Sequence, residues 1–255
     1  MNNMKLRRKE KILKLLSENG MIKASDLSEK FKVSMETVRR DLNELEQEKL
    51  IRRVHGGAVL YTEHSIEPNY SYRTTTNYDE KIKIAAKAAE MVKDGDSIIV
   101  DIGTTTLEMA KFLKGKKNLT VITNSMKIAM ELMDEKEITI IFIGGKVRLG
   151  DGSTSGYWAE EMVSGFHADK LFLGIGAIMA EHGVMDYHIE ETNLRRCYIK
   201  SAEQVIALAD YSKFGLKALN QVCRIEDLDY IITDEKTDKK ILREIKEIGV
   251  QVKVV

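Results

Sequence analysis

One stretch of this chain carries side chains suited to contacting nucleic acid. Three apolar residues, Val38, Leu42 and Leu45, recur at positions i, i+4 and i+7 and predict one buried face of a helix. Arg40 points away from that face, and Arg39 lies on its flank. A guanidinium group pairs with guanine O6 and N7 or grips a phosphate, so the stretch favours a DNA recognition helix. Taken alone, the same pattern also fits a solvated amphipathic helix.

The elements around this helix favour the DNA-binding interpretation. Ser34 lies where an N-cap hydroxyl starts a helix. Two further helices are predicted over 6–17 and 24–31, the first ending at Asn19-Gly20. Because Lys32-Val33-Ser34 leaves only a tight turn before the recognition helix, the arrangement is a helix-turn-helix, whose second helix enters the major groove.

A hairpin is predicted directly after the recognition helix. Two β-prone runs, 50–54 and 58–60, surround Gly56-Gly57. A basic hairpin in this place is interpreted as a wing, which reaches the DNA backbone or the minor groove. A local turn role is the alternative for its histidine. The residues that we expect to contact DNA are Lys32, Ser34, Met35, Glu36, Thr37, Arg39, Arg40, Arg52, Arg53 and His55.

A second group of polar residues follows predicted strands later in the chain, where open parallel sheets bind ligands. The threonine hydroxyls and helix amides after Gly103 are donors to a phosphate. Asp101 can accept from sugar hydroxyls, and Lys213 supplies a cation. Each piece alone also fits a cap, a turn or a solvated lysine, but their recurrence at one end of successive strands favours a small, phosphorylated, hydroxyl-rich ligand. The expected binding residues are Asp101, Gly103, Thr104, Thr105, Thr106, Thr123, Asn124, Ser125, Gly144, Gly145 and Lys213.

Other kinds of site are not indicated. The chain contains no G-x-x-x-x-G-K-[ST] phosphate loop. The segment Gly174-Ile175-Gly176 lacks a third glycine in register, which argues against a dinucleotide site. The histidines show no metal-ligand spacing with cysteine or carboxylate, so we predict neither a metal nor a cofactor. These histidines are His55, His64, His167, His182 and His188.

The polar residues that follow the predicted strands can meet at one edge of a sheet only if strands and helices alternate along the chain. Continuous apolar strands between helices predict an α/β fold with a mostly parallel sheet covered on both faces. The predicted strands are Ser97–Val100, Leu119–Ile122, Ile138–Ile143, Lys170–Ile175, Gln204–Ala209, Tyr230–Thr233 and Val250–Val254. The predicted helices are Asp79–Lys93, Thr105–Leu113, Met126–Met133, Tyr157–Phe166, Glu190–Ala202 and Asp238–Ile248.

A length of 255 residues suits two domains. We predict a winged helix-turn-helix domain over 1–60, a polar linker over 61–78 that contains Pro68, and an effector domain over 79–255. Residues 1–60 hold 14 Lys and Arg against 9 Asp and Glu, a net charge of +5, while the remainder holds 26 against 31, a net charge of −5. A basic end on an acidic body suits docking on a polyanion.

The composition indicates a cytoplasmic protein. Cys197 and Cys223 are isolated, which argues against a disulfide scaffold and fits a reducing compartment. No apolar run approaches the ~20 residues that a membrane span needs, so no membrane partner is expected. The basic, polar start of the chain shows no secretory signal.

Taken together, these motifs resemble the DeoR family of bacterial transcriptional repressors over nearly the whole chain. The matching stretches are Phe31-Lys32-Val33-Ser34, 37–42, 55–58, 101–105, 123–125, Gly144-Gly145 and 210–215. The resemblance implies a C-terminal domain similar in fold to ribose-5-phosphate isomerase and CoA-transferase-like proteins. It also implies a repressor of sugar metabolism that a phosphorylated sugar releases from operator DNA.

Two alternatives in function remain at this stage. A sugar-phosphate isomerase fused to a DNA-binding module would need a carboxylate-rich D-G-A-D-E segment, but the comparable stretch, 174–178, has no carboxylate to act as a general base. Glu190 and Glu191, nearby in sequence, keep that alternative open. A transcriptional activator is the other alternative, because the sign of regulation depends on where the operator lies.

Operators usually present two half-sites, so a homodimer or homotetramer is expected. The helix over 190–200, with Arg195 and Arg196, is a candidate relay between effector and DNA, on the basis of position and charge. The sugar, the operator and the size of the oligomer do not follow from the sequence.

Overall fold

The computed structural model describes residues 2–19, 21–48, 50–54, 56–60, 67 and 70–255. The chain divides into two compact units, Met1–Arg73 and Thr74–Val255. A short helix, α4 (Tyr70–Thr75), lies inside the stretch 61–78 that we predicted as a linker. Gly20, His55 and Pro68, to which the sequence analysis assigned roles, lie outside the described residues.

Within its described residues, the first unit contains helices α1 to α3, the beginning of α4, and a three-stranded antiparallel sheet of order β1-β3-β2. Its elements are α1 (Asn2–Asn19), β1 (Met21–Lys23), α2 (Ala24–Phe31), α3 (Met35–Gln47), β2 (Ile51–Val54) and β3 (Gly57–Leu60). The predicted helix-turn-helix and hairpin are therefore present. β1 was not predicted, because three residues show no periodicity.

A continuous apolar core holds the first unit together. Ile12 and Leu16 of α1 and Leu27 of α2 pack with the buried face of α3. Gly57 allows β3 to approach β1 closely, since a Cβ atom there would lie only 2.1 Å from the carbonyl oxygen of Ile22. Burial of one face of each helix therefore determines how the helices pack. The hairpin strands β2 and β3 contribute Ile51 and Ala58 to the same core.

The second unit is built on a seven-stranded parallel sheet of order β15-β14-β12-β9-β4-β5-β6. These strands are β4 (Ser97–Val100), β5 (Leu119–Thr123), β6 (Ile138–Phe142), β9 (Ala168–Gly174), β12 (Ala202–Leu208), β14 (Tyr230–Thr233) and β15 (Gln251–Val254). This confirms the predicted parallel α/β sheet.

Helices cover both faces of this sheet. They are α5 (Tyr78–Ala89), α6 (Thr104–Lys111), α7 (Met126–Leu132), α8 (Tyr157–Ser164), α9 (Ile189–Lys200) and α10 (Lys239–Glu247). Alternate residues of β4 point to opposite faces: Ile98 packs with α5, α6 and α7, whereas Ile99 belongs to the core that α8, α9 and α10 cover. None of the helices within the described residues is long and apolar enough to cross a membrane.

Short antiparallel strands, which the sequence analysis did not predict, complete the second unit. A hairpin of β7 (Lys146–Arg148) and β8 (Ser153–Ser155) occupies the glycine- and serine-rich stretch after β6. A second sheet of order β10-β11-β13 joins β10 (Ala177–Met179), β11 (Gly183–Asp186) and β13 (Asn220–Cys223).

The order of the parallel strands reverses between β4 and β9. From β4 the chain proceeds through β5 to β6 in one direction, and from β9 through β12 and β14 to β15 in the other. Such a topological switch point opens a crevice at the carboxyl ends of the strands, which is where open α/β sheets bind ligands. Gly174, at the end of β9, meets the loop after β4 at this point.

Candidate DNA-binding surface and effector site

The recognition helix α3 starts and packs as predicted. The Ser34 hydroxyl caps it by accepting a hydrogen bond from the Thr37 backbone N–H at 3.2 Å. Val38, Leu42 and Leu45 are buried in the core of the first unit. The cap and the buried face together orient the opposite face of α3 outward.

An ion pair between Asp41 of α3 and Arg8 of α1, which the sequence analysis did not predict, joins the two helices. Asp41 is fully buried, and its two carboxylate oxygens accept from Arg8 Nε at 2.5 Å and from the second guanidinium nitrogen at 3.1 Å. These hydrogen bonds raise the pKa of Arg8. The signal was available, because position 41 falls on the same helical face as Val38 and Leu45.

The outward face of α3 presents unpaired positive charge. Arg39 and Arg40 are exposed, and within the described part of the chain neither makes a hydrogen bond or ion pair. Lys32, Met35 and Glu36 are also exposed. The hydroxyls of Ser34 and Thr37 lie 2.9 Å apart and bond to each other, so they are partly engaged. Two free guanidinium groups on one capped helix form the strongest candidate for contact with DNA.

The two arginines of the wing differ in their surroundings. Arg52 is exposed. Arg53 is half-buried and donates to the side-chain oxygen of Asn43 on α3, while its backbone N–H donates to Glu46 Oε1 at 2.8 Å. Arg53 therefore fastens the wing to the recognition helix, and its predicted contact with DNA would require it to leave or share this bond. The structure does not describe His55.

The candidate effector residues all lie at the carboxyl ends of parallel strands, and they fall into two classes. In the first class the polar atoms already make hydrogen bonds that join loops. In the second class some polar atoms have no partner among the described residues. Asp101, after β4, belongs to the first class. It is 1% exposed, and its Oδ2 accepts from the Gly174 backbone N–H at 3.1 Å and from Arg195 Nε at 2.7 Å. The loop after β4 is thereby tied to β9 and α9.

Burial raises the pKa of Asp101 to about 6 despite the nearby Arg195 guanidinium. Desolvation of the carboxylate outweighs the attraction of the arginine at this position. The predicted role of Asp101 as an acceptor from sugar hydroxyls is restricted, because one of its oxygens is already occupied.

Arg195 is the centre of a buried ion network that was not predicted. Besides Asp101 it contacts Asp186 Oδ2 at 2.5 Å and Glu191 Oε2 at 3.7 Å. Glu191 in turn bonds Arg148 of the β7–β8 hairpin at 2.5 Å. The network therefore joins the β4 loop, α9 and the hairpin. Asp101 and Arg195 are 94 positions apart in the chain, so no local sequence pattern predicts their contact.

Arg148 extends the network at the hairpin. It also lies 3.1 Å from Asp151 and 2.8 Å from His188 Nε2. Arg196, the other arginine that we named as a relay, is exposed and donates to the backbone carbonyls of Gln221 and Val222 on β13. Of the two relay candidates, Arg195 alone belongs to the ion network.

The start of α6 has the properties of an anion site. A Cβ atom at Gly103 would lie 2.8 Å from Thr106 Oγ1, so a larger residue there would displace that hydroxyl. The first N–H groups of a helix have no acceptor inside it, and Thr104, Thr105 and Thr106 supply them here. Thr106 Oγ1 is buried and has no hydrogen-bond partner among the described residues. A buried hydroxyl without a partner is costly, so Thr106 is the residue at this helix start whose polar group the described fold leaves unsatisfied.

The Thr123-Asn124-Ser125 segment after β5 also contains both classes of residue. Thr123 Oγ1 donates to the Val100 carbonyl oxygen at 2.7 Å, and Ser125 Oγ caps α7. Asn124 donates to the Thr154 carbonyl oxygen at 2.9 Å, but its Oδ1 is buried and has no partner in the part of the chain that the structure describes. Asn124 is therefore the member of this segment with an atom available to a ligand.

Gly144 and Gly145 follow β6. A Cβ atom at Gly145 would lie 2.7 Å from the Ser155 carbonyl oxygen, and its φ is +132°. Gly145 therefore allows the β7–β8 hairpin to fold back, which explains its residue type without a ligand.

Lys213 ends a short 3-10 helix, Tyr211–Lys213, that follows β12. Its side chain is half-buried and its N–H donates to the Asp210 carbonyl oxygen at 3.0 Å. Asp210 shapes the turn, since its Oδ1 accepts from the Ser212 N–H at 3.0 Å. β12 neighbours β9, so Lys213 lies at the same edge of the sheet as the loop after β4.

Comparison with known proteins identifies both halves of the chain. Residues 8–64 match the DeoR-like helix-turn-helix domain, and residues 76–235 match the DeoR C terminal sensor domain. The chain is 36% identical to the HTH-type transcriptional regulator GolR of Listeria innocua over 247 residues, 97% of each protein. It is 32% identical over 243 residues to the glycerol-3-phosphate regulon repressor of Escherichia coli K12, which covers 95% of this chain and 96% of that protein.

A solved structure, ribose 5-phosphate isomerase A of Methanocaldococcus jannaschii, is 21% identical over 55% of each chain, with a TM-score of 0.40. This likeness carries no argument about function.

Proposed function

The chain belongs to the DeoR family of transcriptional regulators, and from that premise we propose that it is a repressor that a phosphorylated sugar releases from operator DNA. The outward face of α3 is the observation that carries the proposal. Arg39 and Arg40 are exposed, and neither is paired within the described residues, on a helix whose opposite face is buried in the core. Free guanidinium groups on a rigid helix are what major-groove recognition requires.

The effector site of this proposal lies at the switch point of the parallel sheet. The amides at the start of α6 and the cation of Lys213 suit a phosphate. Thr106 Oγ1 and Asn124 Oδ1, which have no partner among the described residues, suit the hydroxyls of a sugar. The loops around this site are held in place by Asp101, Thr123, Ser125 and Gly145.

Binding without turnover fits this arrangement. The segment 174–178 has no carboxylate of its own. The neighbouring carboxylate, Asp186, lies beside Gly176 but is held by Arg195 at 2.5 Å. A carboxylate oxygen that already accepts from a guanidinium is not free to accept a proton from a substrate. The relatives are named as transcriptional regulators and repressors, which supports binding without turnover.

We further propose that the protein acts as a homodimer or homotetramer, in the cytoplasm where its operator lies. A helix-turn-helix protein usually reads two half-sites, so a second copy of the chain is the expected partner. A set of exposed apolar residues on α7, the β7–β8 hairpin and α8 supports self-association. We call it the apolar surface, and its members are Met126, Met130, Leu149, Tyr157 and Trp158.

The segments that carry the apolar surface lie next to one another. The Met126 backbone N–H donates to the Gly152 carbonyl oxygen in the hairpin loop at 3.0 Å. A Cβ atom at Gly145 would lie 3.3 Å from the Ala159 methyl group of α8. Trp158, the only tryptophan in the chain, is 73% exposed. Exposed clusters of this kind, with an aromatic residue in them, mark protein interfaces.

The test of the function is a binding experiment on DNA. Fluorescence anisotropy at fixed salt would measure the affinity of the purified protein for its own upstream region, with unrelated DNA as the control. Triose, pentose and hexose phosphates would then be added one at a time, with inorganic phosphate as the control ligand. We expect specific binding that one sugar phosphate weakens. Specific binding that no sugar phosphate changes would refute the effector part, and turnover of a sugar phosphate would favour the enzyme.

A further inference from the structure

Asn77 has an unusual conformation and an unusual position. Its φ and ψ are +52° and +40°, in the left-handed region that few residues other than glycine adopt. It lies just before α5, four positions into the second unit, in the turn of Thr76 and Asn77 that follows α4. We call this turn the connector turn. The chain that leads to the DNA-binding unit runs through it.

The Asn77 side chain bonds the loop that carries Lys213. Its Nδ2 donates to Asp210 Oδ1 at 2.8 Å, and its Oδ1 accepts from the Tyr211 hydroxyl at 3.2 Å. We call residues 210–214 the Lys213 loop. Both hydrogen-bonding atoms of the carboxamide are therefore engaged by one loop, 133 and 134 positions away in the chain.

The same atom of Asp210 shapes the Lys213 loop. Asp210 Oδ1 accepts from the backbone N–H of Ser212 at 3.0 Å and from its hydroxyl at 2.5 Å. A change in the Lys213 loop must therefore alter the acceptor that Asn77 uses. Asp210 is 1% exposed, so solvent offers no substitute partner.

The connector turn is held on its other side as well. The Asn77 carbonyl oxygen accepts from the Lys81 N–H at 3.1 Å, and Lys81 Nζ donates to the Thr76 carbonyl oxygen at 2.6 Å. A second attachment runs from Glu80 on α5 through Lys236, which also lies over the Tyr211 ring. The turn and the Lys213 loop are thus one hydrogen-bonded unit.

We propose that Asn77 is the residue that transmits effector binding from the Lys213 loop to the segment leading into the DNA-binding unit. The inference rests on the proposed function, because it assigns a route to the release that the function requires. An effector releases DNA only by favouring a state that binds DNA less well, so some group must differ between the two states. The Asn77 carboxamide is the group whose two bonds join effector loop and connector.

The left-handed backbone offers another explanation for asparagine at this position, since asparagine tolerates that conformation. Asn77→Gly separates the two explanations, because glycine keeps the backbone and removes both side-chain bonds. The matched control is Asn118→Gly. Asn118 has a φ of +51°, is exposed, and makes no side-chain hydrogen bond within the described part of the chain.

The experiment measures the ratio of operator dissociation constants with and without a saturating sugar phosphate, using the full chain and the same panel of triose, pentose and hexose phosphates. Allosteric ratios are typically about 5- to 150-fold. We expect Asn77→Gly to lower the ratio at least about fivefold, with operator affinity in the absence of sugar unchanged. Its melting temperature should fall, because the buried Asp210 carboxylate loses a donor, so the ratio is measured well below that temperature. Asn118→Gly and wild type should share the same ratio.

Tyr211→Phe provides a second test if Asn77→Gly folds poorly. It removes only the hydroxyl that bonds Asn77 Oδ1 and should lower the ratio in the same direction. An Asn77→Gly protein that binds the operator and responds like wild type would overturn the inference and leave the proposed function intact. A wild-type protein that no sugar phosphate releases would refute the proposed function and this inference with it.

Discussion

Arg195 Nε donates to Asp101 Oδ2 at 2.7 Å, although the two residues are 94 positions apart in the chain. The pair joins α9 to the loop after β4 at the switch point of the sheet. Both residues are at least 95% buried, and Asp186 and Glu191 complete the surroundings of the guanidinium. One arginine therefore compensates three buried carboxylates, and this determines how the second unit responds to substitution and to pH.

Replacing Arg195 should be strongly destabilising. Arg195→Met leaves Asp101, Asp186 and Glu191 buried without their shared cation, and removing one partner of a buried ion pair costs about 3–5 kcal/mol. The matched control is Arg196→Met, because Arg196 is exposed and bonds only backbone carbonyls. Urea unfolding would measure both variants. If Arg195→Met and Arg196→Met lower the free energy of unfolding equally, Arg195 does not stabilise the three buried carboxylates as we expect.

The raised pKa of Asp101 predicts a pH dependence of stability. Its pKa rises from 3.8 to about 6 on folding, so between those values the folded state binds more protons than the unfolded state. The contribution of Asp101 to stability should therefore decrease as pH rises through that interval, by at most about 1.4 kcal/mol per pH unit.

The measurement compares wild type with Asp101→Asn in urea at several pH values, so that carboxylates common to both proteins cancel. The free energy of unfolding of wild type relative to the variant should fall between pH 3.8 and about 6 and stay level above that interval. A difference independent of pH, or one that rises with pH, would show that burial does not raise this pKa.

Arg40 should contribute directly to operator affinity. If it pairs with a base, Arg40→Ala should weaken specific binding by roughly 1–3 kcal/mol and relax the sequence preference. Arg243→Ala, an exposed arginine on α10 in the other unit, is the matched control. Fluorescence anisotropy at one salt concentration measures both. Unchanged affinity of the Arg40 variant would remove it from the DNA-binding surface.

Lys213 should bind the phosphate of the effector. A hydrogen bond to a charged group contributes about 1.5–3 kcal/mol, so Lys213→Ala should weaken sugar-phosphate binding at least about tenfold. Operator affinity without sugar should not change. Calorimetry with the sugar phosphate that releases wild type gives the affinity, and Lys217→Ala, an exposed lysine four positions later, is the control. Equal affinity in wild type and the Lys213 variant would refute the assignment.

Trp158 should lie in the interface between copies of the chain. Trp158→Ser should raise the dissociation constant of self-association at least about tenfold, because a buried aromatic residue commonly contributes 2 kcal/mol or more to an interface. Leu219→Ser, which changes an apolar residue that is 60% exposed elsewhere, is the control. Sedimentation would report the mass of each protein.

In wild type, emission of the single tryptophan should shift to shorter wavelength as concentration rises. A Trp158 variant that sediments like wild type would place the interface elsewhere.

Local patterns were enough to predict the recognition helix and the alternation of the second unit. The spacing of Val38, Leu42 and Leu45, with Ser34 before them, specifies a capped helix with one buried face, and helical spacing acts within a few residues. The parallel strands were predictable for the same reason, as each is a continuous apolar run between helices. The short strands β1, β7, β8, β10, β11 and β13 were missed, because three or four residues show no period.

The tertiary structure alone decided which polar residues are committed and which are available. The sequence analysis grouped Asp101 with Thr106 and Asn124 as ligand contacts. In the described structure Asp101 is held by Arg195, while Thr106 Oγ1 and Asn124 Oδ1 have no partner. It likewise grouped Arg53 with Arg40, although Arg53 is bonded to Asn43. A residue type states which bonds a side chain can make. Which bonds it does make depends on residues that only the folded chain brings within about 3 Å.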